Sequence, residues 1–249
     1  MSSFVKIDQT CLVQDGLNSR WAYTFPGSAC NFQDVEASIQ SISLYNSEFN
    51  VDSIQFANTS FQIEVPTAAT TSVISVNLVD GYYLYTDINR NIQTALVNAG
   101  AYLIDSNGDN VFYLQIEENR TYYACQLDCS PTPTSLPTGY TRPTTGLYST
   151  TSLLSNTIPQ ISPTSSYVVR CDLIKNDFVA SGDIVSVFDK GDSTIGKQIQ
   201  YFPSHETWCR THDGPRSTVS ISIWNQNDQR VHFRDTSVNI MLLLRKRRA

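Results

Sequence analysis

Three histidines are the residues of this chain best suited to acid–base chemistry at neutral pH: His205, His212 and His232. Histidine is the usual proton carrier because its side chain changes charge near pH 7. Gly191-Asp192-Ser193 matches only the first residues of a serine-nucleophile motif, and it lacks the strand-to-helix setting that exposes such a serine. A turn is the better interpretation of that tripeptide. We therefore predict no catalytic residues and no enzyme activity.

Two pairs of residues could together offer four ligands to zinc, namely Cys125-x3-Cys129 and His205-x3-Cys209. Zinc accepts thiolate and imidazole ligands at tetrahedral positions. Residues four apart in an extended strand are about 13 Å apart, too far for one metal without a turn. We therefore expect no metal site and no cofactor. The six cysteines are too few for the disulfide framework of a small secreted protein, and we expect buried or half-buried thiols.

A basic cluster stands at the carboxyl end: Arg245, Lys246, Arg247 and Arg248. The chain has a net charge of −6, and without these four cations the remaining residues sum to −10. Two interpretations fit the cluster. It could neutralise phosphates, which makes its four residues candidate nucleic-acid contacts. It could instead be a solvated tail that stops a hydrophobic strand from pairing with other chains.

One amphipathic helix is predicted between residues 86 and 100. Its apolar residues recur on one side of a 3.6-residue period: Ile88, Ile92, Ala95, Leu96 and Ala99. Thr86 is the expected amino-terminal cap, Asp87 favours the positive end of the helix dipole, and Gly100 can adopt the left-handed stop. We expect this helix to lie flat on an apolar surface, with a strand before it and another after it.

The rest of the chain predicts an all-β fold. Apolar and β-branched runs separated by turn residues predict strands over 35–49, 54–65, 71–78, 111–116, 121–127, 167–173, 184–188, 195–202, 217–224, 230–233 and 238–244. In 217–224, Val219, Ile221 and Ile223 alternate with polar residues, the period of a half-buried strand. About eight to ten strands with frequent turns indicate a sandwich, and we predict a single jelly roll with one short helix.

The stretch 130–166 differs in composition from both of its neighbours. It is rich in Pro, Thr and Ser and contains Pro131, Pro133, Pro137, Pro143, Pro159 and Pro163. Proline removes ladder hydrogen bonds, so this stretch cannot be a central strand. We interpret it as a surface insertion within one jelly-roll domain that spans residues 1–249, a length that a single all-β domain can reach.

Composition and charge set further expectations about where the protein folds. Hydrophobic residues make up 41% of the chain, which excludes disorder throughout, while charged residues make up only 16%, as in many β proteins that assemble. No run approaches the roughly 18 apolar residues of a membrane span, and the first residues lack the apolar core of a signal peptide. We expect no membrane span and folding in a reducing compartment.

The order of several short motifs resembles that of a known family, the minor capsid or penton proteins of virophages, polinton-like viruses and related large eukaryotic DNA viruses. The similar segments are Trp21-Ala-Tyr-Thr-Phe-Pro26, 37–51, 81–100, 163–176 with Gly196, Pro203, Trp208 and Asp213-Gly214, 224–231 and 235–244. The likeness spans most of the chain. The stretch 130–166 and the basic end depart from the family pattern.

This resemblance implies a jelly-roll structural protein of the virion. Homopentamers of such a protein, called pentons, would close the fivefold vertices of an icosahedral double-stranded DNA virus capsid beside the major capsid protein. The chain would be made in the host cytoplasm. The basic cluster is not part of the resemblance, and from its charge alone we predict that it faces the capsid interior and contacts the packaged DNA. The alternative is a jelly-roll module that binds carbohydrate or a host receptor, because tyrosines can stack on sugars and the chain has 13 of them.

Overall fold

The structure is a computed structural model that describes residues 2–27, 29–66, 71–129, 151–159 and 161–247. These residues form mostly β-structure with the α-helix α1 (Tyr85–Asn98) and a short 3-10 helix (Gln9–Cys11). The strands are β1 (Ser2–Asp8), β2 (Arg20–Thr24), β3 (Cys30–Asn31), β4 (Val35–Tyr45), β5 (Ser60–Pro66), β6 (Thr71–Asn77), β7 (Leu103–Ile104), β8 (Asn110–Val111), β9 (Leu114–Asn119), β10 (Ala124–Cys129), β11 (Thr151–Leu154), β12 (Tyr167–Cys171), β13 (Ile184–Phe188), β14 (Gln198–Tyr201), β15 (Cys209–Arg210), β16 (Pro215–Arg216), β17 (Thr218–Asn225) and β18 (Val238–Lys246). The predicted all-β class is confirmed.

The chain forms two compact units. The sandwich unit consists of Met1–Phe49 and Ser162–Ala249, and the inserted unit consists of Asn50–Ile161. The sequence prediction placed one domain over 1–249 with an insertion at 130–166. Residues 130–150 and 160 lie outside the described residues, so the surface position of that insertion stays a prediction, as does the single folding domain.

Two antiparallel sheets build the sandwich unit. One has the order β1-β18-β4-β14, with β15 also pairing with β4, and the other has the order β13-β12-β17-β2. Counted along the chain, the eight main strands follow the orders 1-8-3-6 and 5-4-7-2. Strands that are consecutive in sequence thus pass repeatedly from one sheet to the other, as in the two Greek keys of a jelly roll. The predicted jelly roll is confirmed.

A single hydrophobic core joins the inner faces of these two sheets. Ile7, Ile42 and Ile240 enter it from the first sheet, and Val169 and Ile221 from the second, all fully buried. Full burial of such a side chain stabilises the fold by about 1.5–3 kcal/mol. The predicted alternation in 217–224 is confirmed, because the apolar residues of β17 point into this core while its serines do not.

The inserted unit is a smaller assembly around α1. It contains the β5–β6 hairpin, the short β7–β8 pair and a three-stranded sheet of order β11-β10-β9. Helix α1 contacts β6 and β9, and its residues Ile92 and Leu96 are buried in a second core. The prediction that the helix packs on the β-framework through its apolar face is therefore confirmed.

The two ends of α1 differ in how well the sequence predicted them. The expected cap at Thr86 is wrong, because the helix begins at Tyr85 and the side chain of Asp87 accepts the Leu84 backbone N–H at 3.0 Å. The expected stop is confirmed. Gly100 has a φ of +66°, and the Ala101 N–H donates to the Leu96 carbonyl at 2.7 Å, closing the last turn.

Two predicted strands begin later than expected because side chains form turns. The strand predicted from residue 54 begins at Ser60, since the Asp52 carboxylate accepts the backbone N–H groups of Ile54 and Gln55 at 2.8 and 2.7 Å. The strand predicted from residue 121 begins at Ala124. There the turn is held by Asn119, whose Oδ1 accepts the Thr121 N–H at 3.1 Å.

In each unit, a hydrogen bond joins the two points at which the chain passes between the units. In the sandwich unit, the Thr164 hydroxyl donates to the Glu48 carboxylate at 2.5 Å. In the inserted unit, the Asn50 side-chain amide donates to the Ile161 carbonyl at 3.1 Å. The residues that precede and follow the inserted unit in sequence are therefore held together, as are its own first and last residues.

Candidate functional sites

Arg245 is part of the sandwich unit's sheet. It lies in β18 opposite Glu36 of β4, and its Nε and Nη2 atoms are 3.1 and 3.0 Å from Glu36 Oε2. Its guanidinium carbon lies over the Trp208 ring, 3.8 Å from the centroid. A cross-strand ion pair and a cation–π contact thus hold this side chain at the end of the sheet.

The next two cations of the predicted nucleic-acid contact have a different environment. Lys246 ends β18, and both Lys246 and Arg247 are exposed. The Arg247 backbone N–H donates to the Asp34 carbonyl at 2.8 Å, so the chain stays attached to the unit at this point. Arg248 lies outside the described residues. The cations are therefore not equivalent, because Arg245 already has a carboxylate partner, and the DNA contact stays a prediction.

The predicted turn at Gly191-Asp192-Ser193 is confirmed: it belongs to the connection between β13 and β14. Asp189 Oδ1 accepts the Gly191 N–H at 2.8 Å, and Gly191 has a φ of +52°. His205 is exposed and its ring contacts Ser204 Oγ at 3.2 Å. His212 is also exposed, whereas His232 is buried.

The cysteines that could have served as zinc ligands fall into different units. Cys125 and Cys129 both lie in β10 of the inserted unit, whereas His205 and Cys209 belong to the sandwich unit. Within the described ranges, no group of three or more His, Cys, Asp or Glu side chains could hold a metal ion. All six cysteines are free thiols.

Burial makes four of the thiols poor nucleophiles. It raises the pKa of Cys171, which is fully buried, to about 12. Burial likewise raises the pKa of Cys125, Cys129 and Cys209. A thiol with a raised pKa is protonated at neutral pH and behaves as a small hydrophobic side chain.

A cavity of about 480 Å³ lies in the inserted unit. Its walls come from β5, α1, β9 and β10, which contribute Ile63, Ile88, Ile116 and Leu127 among others. None of the described residues that line it is charged. Sequence reasoning missed this cavity, since its wall residues have the spacing of ordinary core positions, although the apolar stripe of α1 indicated which helix face turns inward.

The two asparagine side chains at the cavity are engaged within the inserted unit. Asn50 Oδ1 accepts the Tyr83 N–H at 2.8 Å, and its Nδ2 donates to the Tyr83 and Ile161 carbonyls. Asn58 Nδ2 donates to the Asn50 carbonyl at 2.8 Å, while its Oδ1 accepts the Asp52 N–H at 2.9 Å. Both amides are therefore occupied by the loop that they stabilise.

Tyr85 contributes a hydroxyl group to the cavity wall, and the pKa of this group is raised. Its oxygen is buried and has no hydrogen-bonding nitrogen or oxygen among the described residues. Burial first, and then the neighbouring Cys125, raise the pKa of Tyr85 to about 12. Both groups stay uncharged at neutral pH, so the wall of the cavity carries no charge there.

Within the described ranges, none of the helices combines the length and the apolar character that crossing a membrane requires.

We compared the chain with protein-family models, curated proteins and solved structures, and only the solved structures gave matches. No protein-family model matches the chain, and no curated protein matches it. Among solved structures, the chain is similar to the selenomethionine-labelled penton protein of mavirus, with a TM-score of 0.48 and 10% sequence identity, covering 99% of each chain. The jelly-roll assignment rests on the strand order of the sandwich unit and not on this likeness.

Proposed function

We propose that this protein is a structural capsid subunit whose homopentamers close the fivefold vertices of an icosahedral double-stranded DNA virus. The observation that carries the proposal is where the capsid-like sequence motifs fall. Four of them contribute to jelly-roll strands of the sandwich unit: Trp21 in β2, residues 37–45 in β4, Tyr167–Cys171 in β12 and residues 239–244 in β18. The segment 81–100 instead contains α1 of the inserted unit. Jelly rolls are a common architecture of viral capsid proteins.

The outer faces of the sandwich unit also suit a ring. A closed ring of identical subunits uses two different surfaces of each copy, which contact each other head to tail. Phe4 on β1 is 64% exposed, and Val187 on β13 is 51% exposed. These apolar side chains belong to different sheets, and we take them as candidate contact points between neighbouring subunits.

The proposed role needs no catalysis and no cofactor. The partners would be further copies of the chain and the major capsid protein around the vertex, and the protein would be located in the virion after synthesis in the host cytoplasm. Lys246, Arg247 and Arg248 would contact packaged DNA from the inner side of the capsid.

The first test is the mass of the purified protein in solution. Light scattering coupled to size-exclusion chromatography should give five times 27.9 kDa. Phe4→Asp should shift the mass towards the monomer, whereas Ser181→Asp, at an exposed polar turn residue of the same unit, should leave the pentamer intact. A monomeric wild type that is also absent from particle vertices in cryo-electron microscopy would refute the proposal.

A second candidate function is a carbohydrate- or receptor-binding module, and one turn favours it. Tyr122 and Tyr123 lie between β9 and β10 and are 69% and 62% exposed. Tyr123 has a φ of +49°, a conformation that non-glycine residues seldom adopt and that is often found at functional sites. A monomer or trimer that binds glycans, and loses that binding in Tyr122→Ala and Tyr123→Ala, would favour this function over the capsid.

A further inference from the structure

The cavity of the inserted unit is larger than a packing defect. Protein interiors are close-packed and have few voids larger than a water molecule. At about 480 Å³, this cavity falls within the range of roughly 300–1,000 Å³ that is typical of small-molecule sites. Its size therefore suits a small-molecule ligand.

The chemistry of the walls restricts that molecule to one class. The wall side chains are predominantly aliphatic or aromatic, and the described ones include no charged group. The amides of Asn50 and Asn58 are already committed to backbone partners, as shown above. A charged ligand would lose its hydration here and would find no charged partner among the described wall residues, which costs several kcal/mol or more. An apolar ligand would lose nothing comparable.

The walls are also held in place before any ligand arrives. Ile88 and Ile92 project from α1, and Ile116 lies on β9 opposite them in the same lining. The side chain of Asn89 ties this helix to the Ile116 backbone through two hydrogen bonds of 2.6 and 2.8 Å. A preformed site spends little binding free energy on ordering its own residues.

We propose that this cavity binds an uncharged, hydrocarbon-like small molecule. The described residues of this site all belong to the inserted unit, and binding there does not depend on the capsid role. The neutral dye N-phenyl-1-naphthylamine should bind the purified full-length protein saturably, with one site per chain, and its fluorescence should rise on binding. 1-Decanol should displace the dye, while decanoate at pH 8, which has the same chain length and a negative charge, should be at least tenfold weaker.

Variants that fill the cavity provide the structural test. Ile63→Trp and Leu127→Trp place a larger side chain into the cavity from two different strands, so one remains informative if the other fails to fold. Each correctly folded filling variant should bind the dye at least tenfold more weakly. Val73→Trp, at a residue of β6 that is 59% exposed and does not line the cavity, is the matched control and should bind as the wild type does. Unchanged binding in a folded filling variant, equal displacement by decanoate, or no saturable binding by the wild type would each overturn the proposal.

Discussion

The side-chain amide of Asn89 pairs with the peptide group of Ile116 as a neighbouring β-strand would. Asn89 Nδ2 donates to the Ile116 carbonyl at 2.6 Å, and Asn89 Oδ1 accepts the Ile116 N–H at 2.8 Å. β9 is an edge strand of its sheet, so these two backbone groups have no strand partner on that side. One helical side chain therefore satisfies them and fixes α1 against β9.

Replacing Asn89 with Ala should destabilise the inserted unit. The change removes both hydrogen bonds and leaves two half-buried backbone groups unpaired, at a cost of about 1–3 kcal/mol. Urea denaturation measured by circular dichroism would give the change in the free energy of unfolding. Asn91→Ala is the matched control, since the Asn91 amide bonds only to the Asp87 carbonyl of its own helix, at 2.9 Å. Equal losses in the two variants would contradict the bridging role of Asn89.

Ile92→Asp should unfold the inserted unit or weaken it severely. Ile92 is 2% exposed, so the substitution buries a carboxylate without a partner and should cost more than about 3 kcal/mol. Val97→Asp changes an apolar residue of the same helix that is 41% exposed, and its cost should be small. Thermal melting compares the two. If Ile92→Asp melted with the wild type, the helix would not be packed on the core.

Glu117 should make the folded inserted unit less stable as the pH rises, because its pKa is raised in the folded state. Hydrogen bonding to Asp128, followed by charge repulsion from it, raises the pKa of Glu117, while hydrogen bonds from Ser152 and Gln126 lower the pKa of Asp128. For a carboxyl with a raised pKa in the folded state, the stabilisation is present below its unfolded pKa and is lost as the pH rises through the folded value. At neutral pH the two carboxylates therefore repel each other across the strands.

Glu117→Gln removes this repulsion while keeping the size of the side chain. The variant should melt at a higher temperature than the wild type at pH 7, and the difference should disappear near pH 4, where a carboxyl of raised pKa is largely protonated. Glu64→Gln, at an exposed residue of β5, controls for the loss of one charge. The same difference at both pH values would show that the two carboxylates do not interact.

The basic end should bind DNA with an affinity that falls as the salt concentration rises, and the slope should reflect fewer than four cations. Each phosphate neutralised contributes a log–log slope of about −0.9 for duplex DNA. Because Arg245 is paired with Glu36, replacing Lys246, Arg247 and Arg248 with Ala should remove most of the slope. Fluorescence anisotropy with a duplex at several salt concentrations measures it.

Three lysines of the sandwich unit outside the basic end provide the matched control. Replacing Lys175, Lys190 and Lys197 with Ala changes the net charge by the same amount but should leave the slope unchanged. If the two triple variants bound DNA identically, the basic end would be a solvated strand stop and not a nucleic-acid contact.

The spacing of apolar residues correctly predicted those elements that bury one face of a helix or strand. The helical stripe that includes Ile92 and Leu96, and the alternation of Val219 and Ile221 in β17, each follow from one face meeting a core. Capping was less predictable. Thr86 is a better cap by residue preference, but Asp87 reaches the Leu84 N–H and starts the helix one residue before Thr86.

Features that depend on distant pairing were not visible locally. β4 pairs with β18, β14 and β15, and all three follow the inserted unit in sequence. The residues near position 50 therefore carry no local pattern that predicts the start of a second unit. The cavity was hidden for a related reason. Phe61, Ile116 and Leu127 have the spacing of core residues, and only the three-dimensional arrangement shows the space between them.

The hydrogen bond from Asn50 to Ile161 has a consequence for chain entropy. A structureless connection between β4 and β12 would have to be closed against its own conformational freedom, at a cost that grows by about 0.6 kcal/mol with each doubling of its length. Here the inserted unit brings its own first and last residues together, so its folding supplies that closure. We therefore expect the number of residues within the inserted unit to have little effect on the entropy of closing the connection between β4 and β12.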